Sequence, residues 1–241
     1  MATTKQYSEA DLQEIINTRY NQEAGAPDDD EDSSLRRSLL NQFIQDWSRE
    51  TGVIWEALRT NTGALNTGAT LVLSTGVTAY DAPDEFEKLA GKVYLYDASG
   101  NLKYRVPVVK ASESGDYRGR QQLRAFVTGN PKDGYQINFT KVTSEMNGWT
   151  MVYDFQRTAT LFTDADQYTE VPDPFFLAFM TLAELHRPSR VALATQYEND
   201  ARRRMESMIL DNLMPTPGEA FELNQGWSYL DTTQSRSFFD A

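Results

Sequence analysis

Cysteine is absent from this chain of 241 residues, and histidine occurs only once. Without cysteine there can be no disulfide, no thiolate metal site and no cysteine nucleophile, so the protein does not depend on an oxidising compartment. The first residues, MATTKQYSEADLQ, lack the apolar core of a signal peptide, and no segment approaches the roughly 18 apolar residues of a membrane span. We therefore expect a protein that is kept in an aqueous compartment and has no membrane partner.

Positive charge is scarce as well. The chain has 23 lysines and arginines against 35 aspartates and glutamates, which gives a formal net charge of −12. Proteins that wrap nucleic acid need basic side chains to displace counterions from the phosphates, so the surface as a whole is unsuited to that role, although a local basic patch remains open. With 40% hydrophobic and 12% aromatic residues, the chain can bury a sizeable core.

Signatures of enzymes are missing too. The one histidine, His186, stands at the end of an apolar segment beside Arg187 and Pro188, where helix capping or core packing is favoured over catalysis. The glycines of residues 60–76 fit neither a dinucleotide-binding nor a Walker pattern. Carboxylates are so plentiful that a close pair would mean little without burial. We expect no catalytic residue, no metal and no cofactor.

The N-terminal part of the chain has the spacing of two helices. Ser8 and Asp11 form a variant of the capping box, which predicts where the first helix begins. A second helix is predicted from about Ser34, with a short continuation over 53–58. The acidic run Asp28–Asp32 between them is interpreted as a solvated linker rather than a cation site, because it lacks the spaced ligands of a calcium loop. The apolar stripes are Leu12, Ile15, Ile16 and Tyr20, then Leu35, Leu39, Leu40, Phe43, Ile44 and Trp47.

From residue 69 the apolar positions alternate, as they do in half-buried strands. Turn-forming segments separate the runs at 97–101, 129–134 and 144–148. Pro107 lies within one run, which predicts an edge strand or a bulge there. The alternating residues are Ala69, Leu71 and Leu73; Leu102, Tyr104, Val106 and Val108; Leu123, Ala125 and Val127; Tyr135, Ile137 and Phe139; Trp149, Met151, Tyr153 and Phe155. The pattern predicts an antiparallel β-module.

Helix returns near the C-terminal end. Asp173 is a candidate N-cap with Pro174 at the first helical position. Residues 171–190 are apolar around nearly the whole circumference of a helix, so that helix must be covered on all sides. Pro188 ends it, and Ser189 can cap a last, amphipathic helix. Its apolar stripe is Val191, Ala194, Tyr197, Ala201, Met205, Met208 and Ile209.

These patterns together predict an α+β fold. A helical bundle body is formed by N-terminal helices in residues 1–68 and a C-terminal helix pair in 169–213. The antiparallel β-module, residues 69–168, is inserted between them. Residues 214–241 are predicted to be an extended C-terminal arm.

The one basic run, Arg202 to Arg204, is the candidate for phosphate binding. Consecutive helical residues point about 100° apart, so the three arginines do not share a face. Glu198 precedes Arg202 by four positions and Asp200 precedes Arg204 by four, the favourable order for ion pairs on a helix surface. We favour those pairs, or pairs with a neighbouring subunit's acids, over nucleic acid.

The predicted arm has many large apolar residues, although they are not clustered enough to form a core of its own. One interpretation is that it folds back over its own domain. The favoured one is that it orders on a neighbouring subunit or another partner, with these residues as anchors. They are Phe221, Leu223, Trp227, Tyr229, Leu230, Phe238 and Phe239. Together with the apolar helix, they predict more apolar surface than a single copy can cover.

The order of parts resembles a known family. STGVTAYDAPDEFEKL has a glycine turn followed by Tyr80, Pro83 and Phe86, and the proline-led helix pair follows the strands. Over residues 33–213 the chain resembles the head–tail adaptor proteins of tailed bacteriophages, and most of all the adaptors of short-tailed phages known as tail tubular protein A.

This resemblance implies a structural virion protein without catalytic residues. It would form a ring, expected to hold twelve copies, beneath the portal protein at the head–tail interface after assembly in the host cytoplasm. The β-module would face the tail nozzle or tail tube, and the arm would reach the portal. DNA would only pass through the channel, and acidic side chains lining the channel would repel it from the wall.

Other functions remain open at this point. A different neck, tail-completion or fibre-adaptor protein would keep the virion and change the position within it. A small hydrolase that uses carboxylates of the β-module, or a DNA-binding module on the last helix with Arg203 as a contact, would belong to other classes.

Overall fold

A computed structural model describes residues 6–24, 30–61 and 71–213. Within these ranges four long helices and one short helix accompany eight strands. The helices are α1 (Glu9–Ala24), α2 (Asp30–Ser48), α3 (Ser114–Gly119), α4 (Phe175–His186) and α5 (Val191–Leu213). None of the helices described is long and apolar enough to cross a membrane. The mixed α+β class predicted from the sequence is confirmed.

Helix α1 begins where the capping pattern predicts. The Ser8 backbone N–H donates to Asp11 Oδ2 at 2.9 Å, and the Asp11 N–H donates to Ser8 Oγ at 3.2 Å. This reciprocal exchange satisfies N–H groups that have no partner within the helix. The capping prediction is therefore confirmed.

Helix α2 begins at Asp30, earlier than the predicted start at Ser34. Residues 30–32 therefore belong to the helix and not to a linker, while 25–29 fall outside the described residues. The predicted helical continuation over 53–58 is wrong, since only Glu56–Leu58 form a 3₁₀ turn. The Lys88 ammonium donates to the carbonyl oxygens of Glu50 and Val53, so tertiary contacts replace helical hydrogen bonds there.

Two antiparallel sheets form the β-module. In the larger sheet the order is β1-β8-β4-β5, and β2 also pairs with β8; in the smaller it is β3-β7-β6. The strands are β1 (Arg59–Asn61), β2 (Leu71–Val72), β3 (Ala79–Asp81), β4 (Phe86–Tyr96), β5 (Leu102–Val106), β6 (Ala125–Asn130), β7 (Gly134–Phe139) and β8 (Thr150–Arg157). Strand β5 lies at an edge and ends just before Pro107, as that proline predicts.

The alternation pattern misses the central strand β4. Its pairing with β8 shifts register between Phe86 and Lys88 and again between Leu89 and Val93, and Gly91 has a φ of 120°. These irregularities break the period of two that marks a strand in sequence. The strands β1 and β3 are missed because three residues are too few to show a period. Because β1 pairs with β8, the larger sheet includes residues 59–61, which lie before the predicted start of the β-module at position 69.

The described residues have two hydrophobic cores. The helical body is filled by side chains from α1, α2, α4 and α5 and by Phe162 and Val171 of the connecting segment. The β-module core lies between its two sheets and is rich in aromatic rings. Its buried residues are Leu73, Tyr80, Phe86, Val93, Leu95, Val106, Ala125, Ile137, Phe139, Met146, Met151, Tyr153 and Phe155.

Helix α4 occupies the centre of the helical body. The Asp173 carboxylate accepts from the Phe175 N–H at 3.0 Å, which caps the helix start. The helices α1, α2 and α5 all pack against α4. The buried residues of α4 are Phe176, Leu177, Ala178, Phe179, Thr181, Leu182, Ala183 and His186. The chain therefore covers its most apolar helix by itself, and the expectation that a single copy cannot do so is wrong for this helix.

Helix α5 shows most of its predicted stripe. Its buried residues are Ala194, Tyr197, Ala201 and Met208, and Met205 and Ile209 are partly buried. Val191 was assigned to the stripe but is 67% exposed, because it begins the helix beyond the end of α4. Leu210 and Leu213, outside the stripe, are exposed at the other end. The predicted apolar stripe is therefore buried along the middle of the helix but not at its first residue.

Candidate functional site

The arginine run divides into surface and structural residues. Arg202 lies 3.4 Å from Glu198, the pair that the spacing suggests. Arg203 lies 3.3 Å from Asp200 and is 77% exposed. Both contacts lie along α5, so acidic neighbours offset much of this positive charge. The exposed part of the run is consequently not a clear basic patch for nucleic acid.

Arg204 does not pair with Asp200, and the suggested pairing is wrong. Its guanidinium lies 2.6 Å from the Asp173 carboxylate and about 5 Å from the ring centroids of Phe175 and Phe179. A planar guanidinium can bind a carboxylate and stack on aromatic faces at once. Because Arg204 lies one turn beyond Asp200 on α5 and faces the start of α4, it joins these two helices. We name this set the α4–α5 clasp: Asp173, Phe175, Phe179 and Arg204.

His186 lies in the core of the helical body. Its side chain is 1% exposed and its ring stacks on Tyr197 at a centroid distance of 6.0 Å, with Tyr20 at 5.0 Å on another side. The position agrees with the core-packing alternative for this histidine. Within the described ranges, no group of three or more His, Asp or Glu side chains is placed to hold a metal ion.

A cavity lies where the β-module meets the helical body. Its volume is about 740 Å³, and its charged lining mixes Arg49, Lys88 and Lys132 with Asp84, Glu87 and Asp133. Glu87 lies 3.5 Å from Arg49 and accepts hydrogen bonds from the side chains of Ser48 and Gln156. Much of the polar lining is thus engaged in joining the two halves of the protein.

Gln156 of β8 is the centre of this joint and is fully buried. Its Nε2 donates to the Ser48 carbonyl at 2.7 Å and to the Glu87 carboxylate at 3.0 Å, while its Oε1 accepts from the Trp55 N–H at 2.9 Å. The Trp55 indole N–H donates to the Trp47 carbonyl at 2.7 Å. These contacts connect the end of α2, the turn before β1 and the strands β4 and β8.

Lys88 reinforces the same joint. Its ammonium donates to the carbonyl oxygens of Glu50 at 2.9 Å and Val53 at 2.8 Å, and burial lowers the pKa of Lys88 below its ordinary value. A half-buried charge with two carbonyl partners fixes the direction in which the chain leaves α2. Sequence reasoning missed Gln156 and Lys88, because nothing in their neighbourhood distinguishes them from exposed polar residues of a strand.

Exposed apolar side chains lie at the far end of the β-module. We call this surface the apolar tip: Val72, Val77, Leu102, Tyr104 and Trp149. The first four are between 40% and 47% exposed, and the Tyr104 ring stacks on Trp149 at 5.7 Å. The turns meet there, since the Thr75 N–H donates to Asn147 Oδ1 and the Gly148 N–H donates to the Leu73 carbonyl.

The tyrosine of the glycine turn holds this end together. The Tyr80 hydroxyl accepts from the Ser74 N–H at 3.0 Å and donates to the Val77 carbonyl at 2.9 Å. Phe86 of the same motif is buried among Tyr135, Tyr153 and Phe155. The motif residues therefore shape the β-module and position its exposed tip.

A second exposed apolar surface lies at the end of α5. Leu210 and Leu213 are 59% and 68% exposed. Between them, Asn212 donates to the Ile54 carbonyl at 2.7 Å and accepts from the Glu56 N–H at 2.9 Å, which holds the helix end beside β1. The predicted arm residues lie outside the described residues. They are Phe221, Leu223, Trp227, Tyr229, Leu230, Phe238 and Phe239.

No protein-family model matches the chain, and no curated protein matches it.

Proposed function

We propose that the protein is a structural virion component, a head–tail adaptor that forms a ring between the portal protein and the tail of a tailed phage. The ring is proposed to hold twelve copies and to enclose a channel through which DNA passes as cargo. The motif pattern around Tyr80, Pro83 and Phe86 and the order of helices, strands and helix pair support this proposal, as does the mixed fold.

The observation that carries the proposal is the placement of the exposed apolar surfaces. The apolar tip is next to Thr150, at the start of β8, because Thr150 pairs with Val72 and with Tyr96. The end of α5 is near the other end of β8, where Gln156 pairs with Arg59. Six residues of a strand separate these points by about 20 Å. Two apolar surfaces at opposite ends are what a protein needs in order to join two different partners.

The interior of the subunit supports a structural role in a second way. The buried carboxamide of Gln156 and the half-buried ammonium of Lys88 fasten the β-module to the helical body, so that the two ends are held at a fixed separation. A rigid connection suits an adaptor that transmits contact from head to tail. The apolar helix α4 adds nothing to the case, because the chain itself covers it.

The acidity of the chain agrees with a channel for DNA. With a formal net charge of −12, a ring of twelve copies can present an excess of carboxylates to its lumen. Like charges keep the passing phosphates away from the wall, which prevents the genome from sticking.

The experiment is native mass spectrometry of the full chain mixed with purified portal rings of short-tailed phages. We expect a complex in which one ring of this protein binds one portal ring. The matched control is the chain with Leu210→Ser and Leu213→Ser, two exposed positions, which should keep its fold and lose the portal complex. A chain that binds no portal ring under any condition, and binds tail fibres or another neck component instead, would show that the proposed position is wrong.

A further inference from the structure

Strand β5 has a free edge. One side of β5 pairs with β4, through Tyr94 with Arg105 and Leu95 with Tyr104, and no strand of the described residues pairs with its other side. The residues from Leu102 to Arg105 are all exposed. The N–H and C=O groups of an edge strand can hydrogen-bond a further strand, so this edge can accept an extended segment.

The charges on this edge select what can bind there. If two β5 strands paired antiparallel about Tyr104, Lys103 of each would stand opposite Arg105 of the other, and like charges directly opposite destabilise a strand pair. The register shift opposite Leu95 and Tyr96 and the proline after Val106 keep the usable edge short. The edge therefore disfavours a second β5 and favours a short strand that carries an acidic residue.

The apolar tip adds a further requirement. Leu102 and Tyr104 belong both to the free edge and to the tip, and Tyr104 stacks on Trp149. A short strand makes few backbone hydrogen bonds, so its side chains must cover these apolar groups if it is to bind stably. The occupant is therefore an extended segment with alternating large apolar residues and an acid between them.

Residues 221–230, FELNQGWSYL, have this composition. Phe221, Leu223, Trp227 and Tyr229 occupy alternating positions, the period of a strand. Glu222, the only charged residue of the segment, lies between the first two of these. The pattern matches β5, in which the basic residues Lys103 and Arg105 alternate with apolar ones.

The topology favours the segment of a neighbouring copy. Helix α5 ends at Leu213, and Asn212 holds that end beside β1. The strands β1 and β5 lie at opposite edges of the same sheet. A segment that leaves one copy at its β1 edge can meet the β5 edge of the next copy. Its own β5 lies about 14 Å across the sheet and about 20 Å along it, which together nearly exhaust the roughly 26 Å that eight extended residues can span.

We propose that residues 221–230 of one copy add as a strand to β5 of the next copy and cover Leu102, Tyr104 and Trp149 of its apolar tip, which leaves Val72 and Val77 exposed for the tail. This inference rests on the proposed ring, since the contact joins two different surfaces and repeats from copy to copy until the ring closes. The segment contributes Glu222 to Arg105, since Lys103 already lies 3.0 Å from Asp97 of its own copy, and its apolar residues to Leu102, Tyr104 and Trp149.

Disulfide capture in the full chain tests the contact directly, because the natural chain has no cysteine. One preparation carries Arg105→Cys and a second carries Glu222→Cys, the two positions that the proposal places opposite each other, and the two are mixed under mild oxidation. We expect covalent dimers that contain one chain of each kind. The matched control replaces Arg105→Cys with Arg120→Cys, another exposed arginine of the β-module, and should give far fewer dimers. Equal capture at both positions would overturn the proposal.

A chain that carries both Arg105→Cys and Glu222→Cys separates the neighbouring copy from the chain's own segment. We expect a ladder of linked chains; a single chain closed by an internal disulfide would overturn the contact between copies.

Arg105→Glu should weaken assembly about tenfold, and Glu222→Lys in the same chain should restore it. Rings that form normally with Arg105→Glu and give no capture would sink this contact and leave the adaptor function standing. Covalent dimers without any ring or portal complex would support the contact and contradict the adaptor function.

Discussion

At the scale of single residues, Gln156 decides how the two halves of the protein are joined. Its carboxamide donates to the Ser48 carbonyl and the Glu87 carboxylate and accepts from the Trp55 N–H, all without contact with water. Groups buried without a partner cost more than the hydrogen bond itself contributes. The joint therefore depends on this side chain more than its polar character in a strand suggests.

We predict that Gln156→Ala lowers the free energy of unfolding by about 2–4 kcal/mol, because it leaves the Trp55 N–H and the Ser48 carbonyl buried without their partner. Chemical denaturation followed by tryptophan fluorescence measures the change. The control is Gln136→Ala, at an exposed position of β7 where the side chain donates to Asp81, and it should cost less than about 0.5 kcal/mol. Equal effects of the two substitutions would show that the joint is unimportant.

Glu170 gives the protein a pH-dependent contact. Burial raises the pKa of Glu170, but the hydrogen bonds from the Arg157 guanidinium and the Thr160 N–H outweigh it and leave this pKa below its ordinary value of 4.5. The folded state therefore holds the carboxylate ionised more firmly than the unfolded chain. This stabilisation is present above pH 4.5 and is lost as the pH falls through the lower pKa of the folded state.

We predict that Glu170→Gln destabilises the protein at neutral pH and that its difference from the natural chain shrinks as the pH falls below 4.5. Urea denaturation at a series of pH values measures the two free energies of unfolding. A difference that stays constant from about pH 7 to about pH 3 would mean that the ionised carboxylate does not carry the contact.

At the scale of elements, the α4–α5 clasp explains why only part of the arginine run is exposed on the surface of α5. The guanidinium of Arg204 packs against the start of α4 instead.

We predict that Arg204→Ala lowers the unfolding free energy by about 1–2 kcal/mol, because it removes both the Asp173 contact and the stacking on Phe175 and Phe179. Arg203→Ala, one residue earlier and mostly exposed, should cost less than about 0.5 kcal/mol. Thermal unfolding compares the two, and an equal loss would argue against the clasp.

Helices could be predicted from the sequence better than strands. The Ser8 and Asp11 capping pattern, the Asp173 cap and the stripe of α5 are local signals, and the structure shows each of them in place. Strand β4 could not be predicted, because its two register shifts remove the alternation. Its central position is fixed by pairing with β5 and β8, which are distant in sequence, and no local pattern records that pairing.

The candidate site could be predicted only in part. The spacing of Glu198 and Arg202 was sufficient for their contact, but the partner of Arg204 lies 31 residues away on another element. In the same way, alternation placed Leu102 and Tyr104 on a half-buried strand and Pro107 predicted an edge or a bulge, but only the structure shows that these apolar groups are exposed. Exposure depends on tertiary neighbours, which a sequence pattern does not name.

At the scale of the whole molecule, one polar joint holds the helical body and the β-module together, and exposed apolar surfaces lie at two ends. The helical core is complete within one copy, so the proposed assembly would depend on the apolar tip, the end of α5 and the predicted arm rather than on an unfinished core. This division predicts a subunit that folds alone and assembles afterwards.

The most direct measurement of the central claim is the native mass of the full chain at increasing concentration. A ring of twelve copies has a mass of about 330 kDa, from the 27.3 kDa of one chain. We expect this closed species, or a smaller ring that becomes twelvefold on a portal ring, and its loss on Arg105→Glu but not on Arg120→Glu. A mass that stays at 27.3 kDa at every concentration, with and without portal rings, would contradict the assembly on which the proposed function depends.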